Sequence, residues 1–274
     1  MRQLLYFILL SVILSSCYAE WKMAKGYIES KPEIAIMILP ANYVFKKNQK
    51  IDNQKELQNF SELEKDSVLM AKSSFLKEVS DSIFLERFIN SMYTEFEKLG
   101  FTVYTENYLD SFLFVQTPAY IFNIAQIELE ELYTVYEDQQ DFGDLTYYKN
   151  FDLNAINYNF WFELSELNDE KENTKLFFIS ETINDQVYGY FTENIFTGDV
   201  KYKYNITEID MDVIYKYCTI YGRRHAGYTF DYIMNKYITE NWPPNKRIPY
   251  YMHYNRENST LDMTWEEKFI SIEE

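Results

Sequence analysis

Residues 156–164 read INYNFWFEL, in which a set of apolar side chains alternates with Asn, Trp and Glu. A period of two is typical of a β-strand that buries one face. Further strands are expected at 175–183, 187–196 and 200–206, joined by turns at 168–173 and 197–199. Consecutive strands with short turns between them predict an antiparallel meander.

Two long amphipathic helices are expected around this meander. The first covers 67–98, where apolar residues recur at three- and four-residue spacings, and Gly100 follows it as a helix stop. The segment 80–82 offers a point at which this helix divides in two. The second runs from Met211 to about Glu240. Both would pack an apolar face against the sheet.

A nearly unbroken apolar run at 33–40, closed by proline, predicts a strand buried on both faces. A short strand is expected at 101–104, and a right-handed crossover would join the two if they are parallel. Residues 119–136 fit a helix or a strand, and we favour the strand because β-branched and aromatic residues are dense there. Such a strand would place on one face Ile121, Ala125, Ile127, Leu129, Tyr133 and Val135.

The fold class expected from these elements is α+β or α/β. We expect a mixed, mainly antiparallel sheet with two long helices packed on it, in a single domain over 32–242. Residues 46–66 are polar and predict a loop or a frayed helix start. Residues 243–274 are expected to form a C-terminal extension with a short strand near Phe269.

Residues 1–16 have the layout of a signal peptide, with Arg2 before a short apolar run. About 20 apolar residues are needed to cross a membrane, and this run is shorter. It ends in LSSC at 14–17, which predicts a lipoprotein processing site with Cys17 as the lipidated residue. The competing interpretation is an ordinary secretory signal cut after Ala19. We expect 17–31 to be an anchor and linker.

The chain resembles envelope lipoproteins of the curli-secretion and penicillin-binding-protein-activator type. The resemblance rests on Cys17, the strand 34–40, the helix 67–98, residues 101–105 and residues 118–131. It implies an α/β domain and a non-enzymatic assembly or accessory role, tethered through the lipid on Cys17. Richness in Ile, Asn, Lys and Tyr resembles proteins of AT-rich genomes such as those of Bacteroidota. We expect the outer membrane, with the periplasmic face favoured over the cell surface.

The formal net charge of −17 disfavours nucleic acid and anionic lipid surfaces as partners. Cys218 would be the only thiol left once Cys17 is lipidated, so we expect a buried free cysteine. It lies seven residues from His225, about 10 Å along a helix, which is too far for a catalytic pair. Arg223, Arg224 and His225 predict an internal salt-bridge site. His253 is expected at the surface or in aromatic packing.

Glu128, Glu130 and Glu131 are the densest carboxylates in an apolar setting. On a strand, Glu128 and Glu130 would point the same way, an arrangement that a glycosidase could use for its two carboxylates. A solvated sheet face is the commoner explanation of such a pattern. The acidic residues of 138–144 lack the spacing and the glycine of an EF-hand, so no metal or other cofactor is predicted.

The meander also carries many aromatic side chains, and core packing accounts for most of them. We take as a candidate binding surface Tyr158, Trp161, Tyr202 and Tyr204. The sequence contains no nucleophile elbow, phosphate loop or dinucleotide fingerprint. We therefore expect a non-catalytic, lipid-anchored envelope protein that binds envelope proteins or glycan. The alternatives are an envelope glycan hydrolase acting through Glu128 and Glu130, and a purely structural lipoprotein.

Overall fold

The computed structural model of the protein describes residues 19–50, 60–167, 174–247, 249–265 and 267–272. The predicted signal peptide, Cys17 and the turn at 168–173 lie outside these residues. The described residues form five α-helices: α1 (Ala19–Ser30), α2 (Glu62–Ala71), α3 (Asp81–Lys98), α4 (Leu109–Leu113) and α5 (Met211–Glu240). Their strands are β1 (Ile34–Leu39), β2 (Phe45–Asn48), β3 (Phe101–Tyr104), β4 (Ala119–Phe142), β5 (Leu145–Glu166), β6 (Lys175–Asn184), β7 (Gln186–Glu193), β8 (Val200–Thr207), β9 (Tyr251–Asn255), β10 (Thr260–Thr264) and β11 (Ile270–Ile272).

β4 is the central strand of a seven-stranded sheet. Along one edge it pairs in parallel with β1 and then with β2, and along the other it pairs antiparallel with β5. β3 extends the sheet beyond β1 in parallel, and β6 and β11 extend it beyond β5 antiparallel. The predicted fold class, a mixed and mainly antiparallel sheet with helices packed on it, is confirmed.

β1 is buried on both faces, as its unbroken apolar run predicts. Ile34, Ile36 and Ile38 belong to the main core under the helices, whereas Ala35 and Met37 belong to a small second cluster with Phe112. Since successive side chains of a strand point to opposite faces, one six-residue strand joins both clusters. Its pairing with β3 is parallel, which is the condition under which the sequence predicted a crossover between the two strands.

The predicted helix over 67–98 divides at the expected point, because α3 begins at Asp81. A second interruption was not foreseen: α2 ends at Ala71 and a 3₁₀ turn occupies Leu76–Glu78. α3 packs tightly on α5, where a Cβ atom added at Gly222 would lie 2.3 Å from the carbonyl oxygen of Phe88. Only glycine permits this helix approach.

Residues 119–136 form a strand, as favoured from sequence, and this strand continues to Phe142. A register shift between Ile124 and Gln126 marks a β-bulge. A bulge inserts one unpaired residue, so the alternation changes face at that point. Consequently Ile121 packs in the small cluster while Ile127 and Leu129 pack in the main core, and their predicted common face is wrong.

Three other predictions are corrected. Residues 19–30 of the expected linker form α1, which buries Ala24 and Tyr27 against the core. Residues 45–48, within or beside the expected loop, form β2. The C-terminal extension contains the hairpin β9–β10 in addition to β11, and Asn235 on α5 holds it by hydrogen bonds of 2.8 and 2.7 Å to the backbone of Met252.

Candidate functional site

β4 and β5 run well past the sheet to which they belong. β1 and β2 pair with β4 only as far as Glu131, and β6 pairs with β5 only over 155–164. The hairpin 132–154 is therefore a two-stranded ribbon. The strands β7 and β8, expected to continue the meander, instead form a separate hairpin, 186–207. We call these two hairpins the arm.

Aromatic rings join the two hairpins of the arm. The ring centroids of Phe151 and Tyr204 lie 4.6 Å apart, and those of Phe142 and Phe191 lie 6.5 Å apart. Within the second hairpin, Phe191 and Tyr202 are 4.7 Å apart in an edge-on arrangement. Aromatic pairs at such separations each contribute about 0.5–1.5 kcal/mol beyond the area that they bury. These contacts take the place of a hydrophobic core in the arm.

One polar contact also links the hairpins, since the Tyr202 hydroxyl donates to Asp138 Oδ2 at 2.7 Å. The pKa of Tyr202 is raised above its usual range. Desolvation is the largest cause, and this hydrogen bond is the next. The Tyr202 ring lies across Gly189, where an added Cβ would be 2.2 Å from the hydroxyl oxygen. Gly189 thus leaves the space that lets Tyr202 reach Asp138.

The outer surface of the arm is apolar to an unusual degree. No residue of 132–152 or 186–207 belongs to either core cluster. The turn between β7 and β8 presents Ile195 and Phe196, which are 92% and 97% exposed. Other large apolar or aromatic residues exposed on the arm are Tyr133, Val135, Leu145, Tyr148, Tyr188, Tyr190 and Tyr204. Exposed apolar patches of this kind mark interaction sites in soluble domains.

The residues predicted as a binding surface do not lie together. Tyr158 is fully buried and its hydroxyl donates to the carbonyl oxygen of Ile214, so its assignment to a surface is corrected. Trp161 lies on the opposite face of β5, 5.0 Å from the ring of Phe178. Only Tyr202 and Tyr204 meet, in the arm, with ring centroids 6.2 Å apart.

Ile195 and Phe196 were not singled out from the sequence. Residues 187–196 were expected to form one strand, whereas β7 ends at Glu193. The backbone N–H of Gly198 donates to the carbonyl of Asn194, which closes the turn around the two apolar residues. A signal was present, because an apolar pair inside a turn ending in Thr-Gly-Asp has no core to enter.

The two carboxylates proposed for the hydrolase alternative are engaged by neighbouring side chains. Glu128 pairs with Lys47 at 2.9 Å, and Glu130 accepts hydrogen bonds from Gln49, Asn157 and Asn159. The described cavities are lined by other residues. The hydrolase stays a prediction from sequence.

Glu131, beside them, is the most heavily bonded carboxylate. It is fully buried, ion-paired with Lys50 at 2.8 Å, and accepts hydrogen bonds from Ser73 Oγ and from the backbone N–H groups of 74–76. Burial is the largest influence and would raise its pKa, but Lys50, Ser73 and the backbone donors outweigh burial and lower the pKa to about 2. Glu131 thus fixes the non-helical turn between α2 and α3.

The buried polar residues of α5 have structural surroundings. The Cys218 thiol donates to the Phe84 carbonyl at 3.0 Å, and burial raises its pKa. His225 lies among aromatic rings, with no hydrogen bond to either ring nitrogen from the described residues. Burial, and to a lesser extent Arg224, lowers its pKa to about 3. His225 is therefore neutral, and the predicted basic triplet is reduced to Arg223 and Arg224, which pair with Glu257 and Glu181.

His253 has a partner that the sequence did not indicate. Its Nδ1 lies 2.5 Å from Oδ2 of buried Asp231, whose Oδ1 accepts the backbone N–H of Tyr254. Together with Asn235, Asp231 holds β9 on α5. In the described part of the chain, no group of three His, Cys, Asp or Glu side chains could hold a metal ion. None of its helices is both long enough and apolar enough to cross a bilayer.

Comparison with known proteins adds no family: no model of a protein family matches the chain, and no curated protein matches it in sequence.

Proposed function

We propose that this protein is a lipid-anchored envelope protein, attached through Cys17, that acts by binding a partner protein with its arm. The observation that carries the proposal is the apolar turn of Ile195 and Phe196, almost fully exposed at the end of a hairpin without a core of its own. Two large apolar side chains with this exposure lower the solubility of the free protein. Their burial against a partner is favourable, because it removes apolar surface from water.

The charge of the arm favours a protein over an anionic lipid surface as its partner. Residues 132–154 and 186–207 together contain seven acidic and three basic residues. An acidic surface is repelled by anionic lipids, whereas it steers a partner with a basic rim around an apolar centre. The partner's surface therefore has apolar or aromatic pockets bordered by Lys or Arg.

The route of β4 also supports this role. Near its start, Tyr120 lies under Lys236 in the last turns of α5, close to α1 and hence to the anchored end of the chain. The strand then runs without interruption to Phe142 in the arm. Twenty-two residues of strand span about 70 Å at roughly 3.3 Å each. The arm is thus held far from the end that follows Cys17.

The binding role is tested by capture from detergent-solubilised membranes. We expect the wild-type chain to retain a specific partner and the double variant Ile195→Ser, Phe196→Ser to lose it at least about tenfold, since two buried apolar anchors are worth several kcal/mol. Phe114→Ser is the matched control, because Phe114 is 80% exposed but lies outside the arm. Equal capture by the arm variant and the control would refute the proposal, as would capture of nothing by the wild type.

The anchor is tested separately by metabolic labelling with an alkyne analogue of palmitate. We expect the wild-type chain to incorporate the label and to fractionate with outer membranes, facing the periplasm. Cys17→Ser should abolish both. Labelling that persists in Cys17→Ser would place the lipid elsewhere and remove this part of the proposal.

A further inference from the structure

Three of the four tryptophans of the chain lie at one end of the molecule. Trp242 Nε1 donates to the Arg247 carbonyl at 2.6 Å, and the Arg247 guanidinium lies 4.1 Å from the ring of Tyr250. Tyr250 in turn contacts Trp265, with centroids 4.4 Å apart. Arg247 also pairs at 2.6 Å with Glu20, the neighbour of Trp21. We call this set the anchor-end surface: Trp21, Lys25, Trp242, Arg247, Tyr250 and Trp265.

These aromatic rings are combined with cations in the way that suits a water–lipid boundary. Lys25 Nζ lies 5.0 Å from the Trp21 ring, and Trp265 is 84% exposed. Tryptophan and tyrosine concentrate at the headgroup level of bilayers, because their rings are apolar and their N–H and O–H groups are polar. Lysine and arginine place their stems on apolar surface and their charges among the headgroups.

The charge at this end differs from that of the whole chain. Segments 19–31, 240–250 and 262–268 contain six basic and six acidic residues, whereas the full chain has a net charge of −17. Lysine and arginine close to a bilayer are attracted by anionic headgroups. The general expectation that an acidic chain is repelled by anionic lipid is therefore weaker for this end.

One part of the anchor-end surface also lies close to Cys17 along the chain. α1 begins at Ala19, and Trp21 lies in its first turn. One residue, Tyr18, separates Cys17 from this helix, so the two Cα–Cα steps between Cys17 and Ala19 span less than about 10 Å. A lipid on Cys17 would therefore bring Trp21 and its neighbours to the headgroup layer.

We propose that the anchor-end surface rests on the phospholipid headgroups, with Trp265 and Tyr250 in the interface and the basic side chains on the phosphates. This inference rests on the proposed lipid anchor. It adds an orientation, because a second contact with the bilayer fixes the tilt of the chain and points β4, with the arm, away from the membrane. A lipid chain alone leaves the protein free to rotate about its tether.

Tryptophan quenching by brominated lipid tests the orientation. The full-length chain is reconstituted from membranes into vesicles of phosphatidylethanolamine and phosphatidylglycerol (3:1) that contain dibromophosphatidylcholine. We expect most of the tryptophan emission to be quenched. Trp161→Phe, which removes the one tryptophan that is not part of the anchor-end surface, should raise the quenched fraction, and Trp265→Phe should lower it. Both substitutions conserve an aromatic ring, and Trp265 is too exposed to affect folding.

The outcomes separate the orientation from the anchor. A chain that floats with the vesicles but shows no quenching, or equal quenching in the Trp161→Phe and Trp265→Phe variants, overturns the membrane-facing surface and leaves the anchor in place. A chain that does not float with the vesicles overturns both. Replacing phosphatidylglycerol by phosphatidylcholine should reduce the quenching, and no change would remove the role of the basic residues.

Discussion

The strands β4 and β5 run through both the arm and the rest of the molecule, which we call the body. Their side chains are mostly buried in the body and largely exposed in the arm. In the body, the alternating side chains of β5 enter a large core, where Phe160 stacks on Phe88 at 5.0 Å. In the arm, the same strand carries Tyr148, which is 68% exposed. The difference lies in α3 and α5, which cover one face of the sheet only in the body. Strand pattern alone therefore does not distinguish a residue selected for packing from one available for binding.

The comparison predicts that stability resides in the body. Phe160→Ala should lower the free energy of unfolding by about 3–5 kcal/mol, because a large buried ring is replaced by a cavity. Tyr148→Ala, on the same strand, should change it by less than about 0.5 kcal/mol. Urea unfolding followed by circular dichroism measures both. Similar losses in the two variants would show that the arm unfolds with the body as one packed unit.

Glu131 allows a comparison of buried and exposed carboxylates on the same strand. Glu131→Gln leaves Lys50 and several hydrogen-bond donors without their carboxylate, so it should lower the free energy of unfolding by about 3 kcal/mol or more. Glu137→Gln, on the same strand in the arm, is the control and should be nearly neutral. The folded pKa of about 2 lies below the unfolded value of 4.5, so the stabilisation is complete above pH 4.5 and is lost as the pH falls towards 2. The pH dependence of unfolding below pH 4.5 should be weaker in Glu131→Gln, and an unchanged profile would exclude this role.

His225 makes the body sensitive to milder acid. Its folded pKa of about 3 is below the unfolded value of 6.5, so stability is lost as the pH falls from 6.5 towards 3. His225→Leu removes this dependence on protonation. The difference in the free energy of unfolding, variant minus wild type, should therefore be about 2 kcal/mol more favourable to the variant at pH 5 than at pH 8. Thermal unfolding at the two pH values is the measurement. The hypothesis fails if wild type and variant lose stability in parallel between these values.

The smallest effect is expected in the arm. Gly189→Ala should displace the Tyr202 ring and break its hydrogen bond to Asp138, which costs about 1 kcal/mol locally. Amide hydrogen exchange should accelerate in β7 and β8 and stay unchanged in β1. Gly26→Ala is the control, because an added Cβ there meets no atom within 4 Å. Acceleration that spreads to β1 would show that the arm and body are coupled.

An unbroken apolar run made β1 predictable from sequence, and regular periodicity did the same for α3, for α5 and for residues 156–164 of β5. The face of Ile121 was not, because the bulge beside Ala125 depends on pairing with a strand some 40 residues away. α1 was missed because only a few of its side chains are buried, so its pattern is weak. Burial separates Tyr158 from Tyr204 although both lie on alternating strands, and this separation depends on α5, which follows both in the chain. The exposure of Ile195 and Phe196 was missed because both were assigned to the end of an expected strand, 187–196, whereas β7 ends at Glu193.

The continuity of β4 has a mechanical consequence. A partner that pulls on the arm along the strand direction would load the β1–β4 pairing over Ala35–Leu39 and the long β4–β5 pairing in shear. In shear, the ladder hydrogen bonds resist together, whereas peeling breaks them one at a time. Tension at the tip would therefore pass through a single strand into the best-buried part of the sheet.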